Sequence, residues 1–138
     1  MKILVTSHGG LCEGILESYE MLAGSTKGIT ALSLRSDDTG EFKQELSDWI
    51  DQQQDEPLLI LCDIHGGTPY NESYRAFLKN GDRVRIVTGL NLPMLLETGL
   101  ALPQGLDISK MVALALKAGR EAVSAAERVA ATDDVIDF

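Results

Sequence analysis

Residues 3–24 decide the fold class and read ILVTSHGGLCEGILESYEMLAG. The aliphatic residues 3–5 are typical of a short strand, whereas residues 11–23 place apolar side chains at helical spacing. Gly24 follows as a helix end. A strand, a glycine-rich turn and a helix in this order begin a βαβ unit, so the fold class depends on whether the rest of the chain repeats it.

The rest of the chain repeats this alternation. Residues 135–138, at its end, have strand-like content. The order β-α-β-α-β-α-β-α-α-β predicts a doubly wound α/β fold with a mainly parallel sheet and helices on both faces. No linker or repeat divides residues 1–138, which we therefore expect to form one domain. Further strands are predicted at residues 29–34, 58–62 and 84–87, and further helices at residues 38–53, 69–80, 93–101 and 107–130.

Composition and charge exclude several functional classes. The chain has 138 residues, of which 44% are hydrophobic, and a net charge of −9. That charge repels nucleic acid and anionic lipid and suits a basic protein partner, although acidity can also serve solubility alone. No signal-peptide pattern is present, and no apolar run approaches the roughly 20 residues that span a bilayer, so we expect a cytoplasmic protein. Cys12 and Cys62 lack metal-ligand spacing, and we predict no metal site.

His8 is the first candidate for chemistry because it follows a strand and precedes a helix. Ligands of open α/β sheets bind beyond the carboxyl ends of the strands. Gly9 and Gly10 carry no side chains, which favours the approach of a bulky partner to the imidazole. Neutral imidazole is a competent nucleophile near pH 7. The alternative is a polar turn residue whose ring is satisfied by nearby backbone groups.

Asp63 and His65 follow the third predicted strand. If the first and third strands are neighbours, Asp63 lies close to His8. A carboxylate bound to one ring nitrogen fixes the tautomer and leaves the other nitrogen free to attack. The alternative role for Asp63 is a helix or loop cap. For His65, a nucleophile, a phosphate neighbour and an exposed loop residue are all open, and we favour the exposed loop residue.

The segment Gly66-Gly67-Thr68-Pro69 precedes a predicted helix, with Thr68 expected as its N-cap and Pro69 as its first residue. Backbone N–H groups of such a turn, with the helix N-terminus, can bind an anion, and the Thr68 hydroxyl adds a donor. Most Gly-Gly turns only turn the chain, so this signal is weak alone. The P-loop pattern and the GxSxG pattern of serine hydrolases are absent from the sequence.

Three motifs in the chain resemble those of a known family. They are Ser7-His8-Gly9, Cys62-Asp63-Ile64-His65-Gly66-Gly67-Thr68-Pro69-Tyr70-Asn71 and Thr88-Gly89-Leu90-Asn91-Leu92-Pro93-Met94-Leu95-Leu96-Glu97. In the order and spacing of these motifs, over about residues 1–130, the chain resembles the IIA subunit of the mannose/fructose/sorbose class of the bacterial phosphoenolpyruvate-dependent sugar phosphotransferase system (PTS).

The resemblance implies roles for individual residues. His8 would accept a phosphoryl group on Nε2 from the carrier protein HPr and pass it to a histidine on the IIB component. Asp63 would orient the ring through Nδ1, and His65 receives no role. The resemblance implies no cofactor and only an indirect association with the membrane components IIC and IID. The phosphate-binding residues that it implies are Gly9, Gly66, Gly67 and Thr68.

The expected sheet order is 2-1-3-4, with the switch point between strands one and three. The resemblance adds a fifth, antiparallel strand at residues 135–138, exchanged between the subunits of a homodimer. Arg83 and Arg85 alternate with Val84 and Ile86, as on an edge strand, and an exposed edge invites pairing. The resemblance implies that such a domain is often fused to a IIB domain. Because this sequence stops at Phe138, we expect a free-standing IIA protein.

Two other classes of function stay open. A non-catalytic regulatory or small-ligand-binding α/β module would have His8 as an ordinary pocket residue. A small phosphatase would release inorganic phosphate instead of transferring it. The sequence does not identify a sugar, because sugar choice lies mainly in the membrane subunits.

Overall fold

The computed structural model describes residues 1–36 and 38–130. Strands and helices alternate along the chain, as predicted. The strands are β1 (Lys2–His8), β2 (Ile29–Leu34), β3 (Leu58–Cys62) and β4 (Val84–Thr88), and the α-helices are α1 (Leu11–Ala23), α2 (Thr39–Gln52), α3 (Gly67–Asn80), α4 (Leu92–Ala101) and α5 (Ile108–Glu121), with single 3₁₀ turns at Gly81–Arg83 and Leu102–Gln104.

The four strands form one parallel sheet in the order β2-β1-β3-β4, which confirms the predicted order. The register pairs His8 with Leu34 of β2, Thr6 with Cys62 of β3, and Cys62 with Thr88 of β4. All carboxyl ends therefore lie at one edge of the sheet. The segments that follow β1 and β3 meet there, on the two sides of the switch point.

The sheet is buried on both faces because helices cover each of them. All five residues of β3 are buried, as a central parallel strand requires. On one face Ile3, Val5, Leu59 and Leu61 belong to a core with α1, α4 and α5. On the other face Leu4, Leu58 and Ile60 pack with Phe42, Leu46 and Ile50 of α2, together with Ala76 and Phe77 of α3.

Local hydrogen bonds and backbone conformation fix where the helices begin. The predicted start of α3 and the predicted end of α5 are both wrong. Asp38 caps α2 by accepting from the N–H of Glu41 at 3.0 Å. Helix α3, however, begins at Gly67 with Gly66 as N-cap, so Thr68 is not the cap. Gly66 has φ +90°, a conformation that glycine adopts without a steric penalty. Pro69 fits the first turn because an N–H there has no helical partner.

Helix α5 ends at Glu121, nine residues before its predicted end at 130. Within it, Met111, Ala115 and Gly119 are buried against the body of the protein. Beyond it, residues 122–130 are all exposed, including Val123 and Val129. Without a packed apolar face, helical propensity alone does not hold such a segment in a helix.

The predicted strand at residues 135–138 lies outside the described residues. Within the described part of the chain, no helix is both long and apolar enough to cross a membrane.

Candidate functional site

His8 and Asp63 lie together at the carboxyl edge of the sheet. His8 ends β1, and Asp63 directly follows β3. Oδ2 of Asp63 accepts a hydrogen bond from the backbone N–H of His8 at 2.9 Å and lies 2.8 Å from Nδ1 of its ring. The Asp63 side chain is 10% exposed, whereas that of His8 is 45% exposed. The expected proximity of the two residues is confirmed, and the imidazole is the member of the pair that solvent and partners can reach.

Asp63 is held in its charged form. Its burial raises the carboxyl pKa, but hydrogen bonds from the His8 amide, the His8 ring and the Ile64 amide outweigh burial, so the pKa lies below its ordinary value. The Ile64 N–H donates to Oδ1 at 2.9 Å. A carboxylate only accepts hydrogen bonds. In a neutral ring the proton therefore belongs on Nδ1, which leaves the lone pair of Nε2 free.

Gly67 makes the space beside Nε2. A Cβ on Gly67 would lie 2.9 Å from Nε2 and 2.8 Å from Cε1 of His8, which is too close for any side chain. The expectation that Gly9 and Gly10 leave the imidazole open to a bulky partner stays a prediction, because contacts within one chain do not test it. A Cβ on Gly9 would meet no atom within 4 Å, and one on Gly10 would meet Arg35 at 3.6 Å, an ordinary contact. Within the chain, Gly67 of the loop after β3 is thus the glycine that borders Nε2, whereas a Cβ on Gly10 would not touch the ring.

The N-terminus of α3 lies against the His8 ring because Gly67 is its first residue. The first amides of a helix have no partner within it and favour negative charge. Gly66 and Thr68 flank Gly67 in the chain, so the Gly66-Gly67-Thr68 segment is brought to the histidine. Gly9 differs, because its N–H already donates to the Leu34 carbonyl at 2.8 Å. Because this N–H is already used within the chain, it does not support the predicted phosphate contact at Gly9, which stays a prediction.

Ser7 fixes the turn that follows His8, a role that sequence reasoning missed. Its side chain is fully buried. The hydroxyl donates to the Gly9 carbonyl at 3.0 Å and accepts from the N–H of Cys12, in the first turn of α1, at 2.9 Å. A serine shortly before a helix is a capping signal, and this signal was available in the sequence.

A second missed group lies beside the same turn. Arg35 follows β2, and its Nη2 is 3.0 Å from Oε1 of Glu13 on α1. The Ser33 hydroxyl donates to the same oxygen at 2.6 Å. These residues are up to 22 positions apart in sequence, and only the pairing of Ser33 with Ser7 across β1 and β2 brings them together. No local pattern could have indicated the group.

His65 is exposed, as predicted, and its ring contacts Tyr70 with 4.4 Å between ring centroids. Both residues line a groove of about 600 Å³ beside β4. In the described part of the chain β4 pairs only with β3, so it is an edge strand. The groove is both aromatic and cationic. Its other main lining residues are Tyr74, Phe77, Arg85, Leu116 and Arg120.

Neither cysteine has the environment of a reactive thiol. Burial raises the pKa of Cys62 to about 12 and also raises that of Cys12. Over residues 1–36 and 38–130, no group of three or more His, Cys, Asp or Glu side chains could hold a metal ion.

The EIIA-man family, described as "PTS system fructose IIA component", matches residues 2–116. The chain belongs to the EIIA-man family. The resemblance that its three motifs indicated is confirmed, and the histidine, aspartate and glycine-rich loop all lie within the matched range.

Relatives of this EIIA-man chain come from several bacteria. The mannose-specific EIIAB component of Escherichia coli is 29% identical over 130 residues, and the match covers 91% of the chain but only 39% of that relative. The fructose-specific EIIA component of Bacillus subtilis is 30% identical over 102 residues, covering 70% of this chain and 67% of the relative. The solved mannose/sorbose-specific IIA subunit of Enterococcus faecalis has a TM-score of 0.83 at 26% identity, covering 95% of this chain and 98% of its own.

Proposed function

We propose that this chain is a phosphocarrier of a sugar phosphotransferase system. His8 accepts a phosphoryl group from phosphorylated HPr and passes it to a histidine of a IIB component, for sugar uptake through the membrane components IIC and IID. One observation carries the proposal: Asp63 holds both the main chain and Nδ1 of His8, while Gly67 leaves room at Nε2. The chain acts in the cytoplasm, with residues 1–138 as one IIA domain.

The transfer uses the lone pair of Nε2. This pair attacks the phosphorus of the donor's phosphohistidine in line, and a new N–P bond forms. The donor's N–P bond breaks, and its electrons return to the donor ring nitrogen. The His8 ring, which keeps its proton on Nδ1, gains positive charge, and the Asp63 carboxylate at 2.8 Å stabilises that charge. The same steps in the other direction deliver the group to IIB.

The start of α3 receives the phosphoryl oxygens. Gly67 lies against Nε2, so a group on that nitrogen meets the helix N-terminus, where free amides and the helix dipole favour an anion. The Thr68 hydroxyl adds a donor. Such preorganised donors act most strongly on the charge that develops during transfer. We therefore assign the phosphate site to Gly66, Gly67 and Thr68.

The protein works as a homodimer. Its last six residues, Asp133-Asp134-Val135-Ile136-Asp137-Phe138, combine three carboxylates with apolar side chains. The groove beside β4 offers the complementary surface, with Arg85 and Arg120 among aromatic residues. The segment 135–138 of a second copy adds to β4 as an antiparallel strand, which satisfies both backbones and removes an exposed edge.

The test is incubation with phosphoenolpyruvate, the general phosphotransferase enzyme and HPr, followed by intact mass measurement. A single phosphoryl mass gain is expected for the wild-type chain and for His65→Ala, and none for His8→Ala. His65→Ala is the matched control because it removes an exposed histidine of the adjoining loop. No gain in the wild type would favour a ligand-binding module, and steady release of inorganic phosphate would favour a phosphatase. Loss only in His65→Ala would reassign the acceptor.

A further inference from the structure

An acidic cleft lies next to the site, between the end of β2, α1 and α2. It measures about 270 Å³, and four carboxylates line it. Asp38 and Glu45 raise the pKa of Glu41 above its ordinary value, because their negative charges disfavour a further negative charge beside them. The acidic residues of the cleft are Glu13, Asp38, Glu41 and Glu45.

Arg35 borders both this cleft and the turn after His8. Among the described residues that line the cleft it is the only cation. It follows Leu34, which pairs with His8 across β1 and β2. Its Nη1 would lie 3.6 Å from a Cβ on Gly10, two residues after His8, so the guanidinium lies beside Gly10 in that turn.

The guanidinium is held in place but remains open to solvent. Glu13 binds it at 3.0 Å, and the Ser33 hydroxyl fixes the same Glu13 oxygen at 2.6 Å. The Arg35 side chain is 66% exposed and that of Glu13 is 44% exposed, so the positive member of the pair is the more accessible one. An anchored, exposed cation loses little conformational freedom when an anion approaches.

We propose that Arg35 is a steering and positioning residue for the phosphorylated donor protein. The inference rests on the proposed function, because it takes the incoming partner to carry a negatively charged phosphoryl group. A protein of net charge −9, with four carboxylates in the cleft that Arg35 also lines, repels such a group. Arg35 offsets that repulsion at the approach to His8 and attracts the phosphoryl group before transfer. Rim charges of this kind act mainly on association rates and are screened by salt.

The experiment measures the second-order rate constant for transfer from purified phosphorylated HPr at low and high salt. Arg35→Ala is expected to lower it about threefold to tenfold at low ionic strength, and less than about twofold at 0.5 M salt. Arg35→Lys, which keeps the charge, retains most of the rate. Arg75→Ala is the matched control, because Arg75 is 65% exposed and paired with Glu72 on α3, and it should leave the rate unchanged.

Thermal unfolding of each variant checks that the fold is intact. The inference is overturned if Arg35→Ala transfers within twofold of the wild type at low salt, if Arg75→Ala slows transfer equally, if Arg35→Lys is as slow as Arg35→Ala, or if the loss persists at high salt. These outcomes leave the proposed function standing, because His8 is still phosphorylated in each. A wild-type chain that takes no phosphoryl group from the donor contradicts the proposed function itself.

Discussion

At the scale of the residue, one carboxylate oxygen does two things. Oδ2 of Asp63 accepts from the His8 amide and faces Nδ1 of the His8 ring. An asparagine side-chain oxygen in the place of Oδ2 could still accept both contacts but could not balance a positive ring. A substitution of Asp63 by asparagine can therefore test the role of the negative charge while the hydrogen bonds that support the fold are kept.

Asp63→Asn should slow phosphoryl transfer by about a hundredfold, because the asparagine amide does not stabilise the charge that develops on the ring. The measurement is single-turnover transfer from phosphorylated HPr, with circular dichroism to show that the fold is kept. The control is Asp48→Asn, because Asp48 is an exposed residue of α2 that contacts Gln44. A transfer rate equal to that of the control would reduce Asp63 to a structural cap.

The lowered pKa of Asp63 also makes its contribution to stability depend on pH. The unfolded carboxyl has a pKa of about 3.9. Its folded pKa is lower, so the charged contacts stabilise the fold fully above about pH 4 and lose that effect as pH falls through the folded pKa. The difference in unfolding free energy between the wild type and Asp63→Asn, measured by urea denaturation, should therefore shrink below pH 4. A difference that stays constant from pH 7 to pH 3 would contradict this.

At the scale of the element, the entry into α3 decides access to the histidine. Gly67 is the first residue of the helix and has φ +79°, and its α-hydrogen faces the His8 ring. Both the backbone conformation and the close approach require glycine here. A side chain at this position would change the site and the helix start together, so a control must separate the two effects.

Gly67→Ala should nearly abolish phosphorylation, since its methyl group would occupy the space beside Nε2. The control is Gly105→Ala, at a turn with φ +68° where a Cβ would meet nothing within 4 Å. Both variants should lose about 1–2 kcal/mol of stability from the strained backbone, as measured by chemical denaturation. Only Gly67→Ala should lose transfer, and equal transfer by the two variants would show that the space is not needed.

Alternation of apolar runs and helical patterns sufficed to predict the elements and, with the family resemblance, the sheet order. The proximity of His8 and Asp63 followed only on the condition that the first and third strands are neighbours, which the sheet order meets. The start of α3 was missed because Pro69 suits several positions of a first turn, and only the backbone of Gly66 shows which one it takes. The end of α5 was missed because alanine-rich residues continue a helical pattern whether or not anything packs against them. The Arg35–Glu13 pair depends on strand register, which local patterns do not contain.

At the scale of the whole molecule, charge is distributed unevenly: the net charge is negative, but one groove carries positive side chains. The chain carries 12 Lys and Arg residues against 21 Asp and Glu residues, yet the groove beside β4 contains Arg85 and Arg120. A basic groove on an acidic protein fits an acidic segment of a second identical chain. The edge of β4 supplies backbone groups for the same interaction.

Truncation after Ala131 should therefore weaken or abolish the dimer, as measured by light scattering over a range of concentrations. Arg120→Ala should weaken it less, because it removes one charge and leaves the strand pairing. A shortened chain that dimerises as tightly as the full chain would exclude strand exchange through residues 135–138. The phosphorylation assay on the truncated chain separates this result from the transfer chemistry, which the proposal assigns to His8 of each copy.

The hydrogen bond from the His8 amide to Asp63 has a consequence for spectroscopy. On this side of β1, a side-chain oxygen takes the place that a strand carbonyl would otherwise fill, and the same oxygen faces the ring. A change of charge on the imidazole therefore alters the hydrogen bond of the His8 amide proton, since hydrogen bonds that share an atom polarise one another. We therefore expect the His8 amide resonance to shift when the proposed phosphoryl group binds or leaves the ring, so that NMR can follow both events without any added label on the ring.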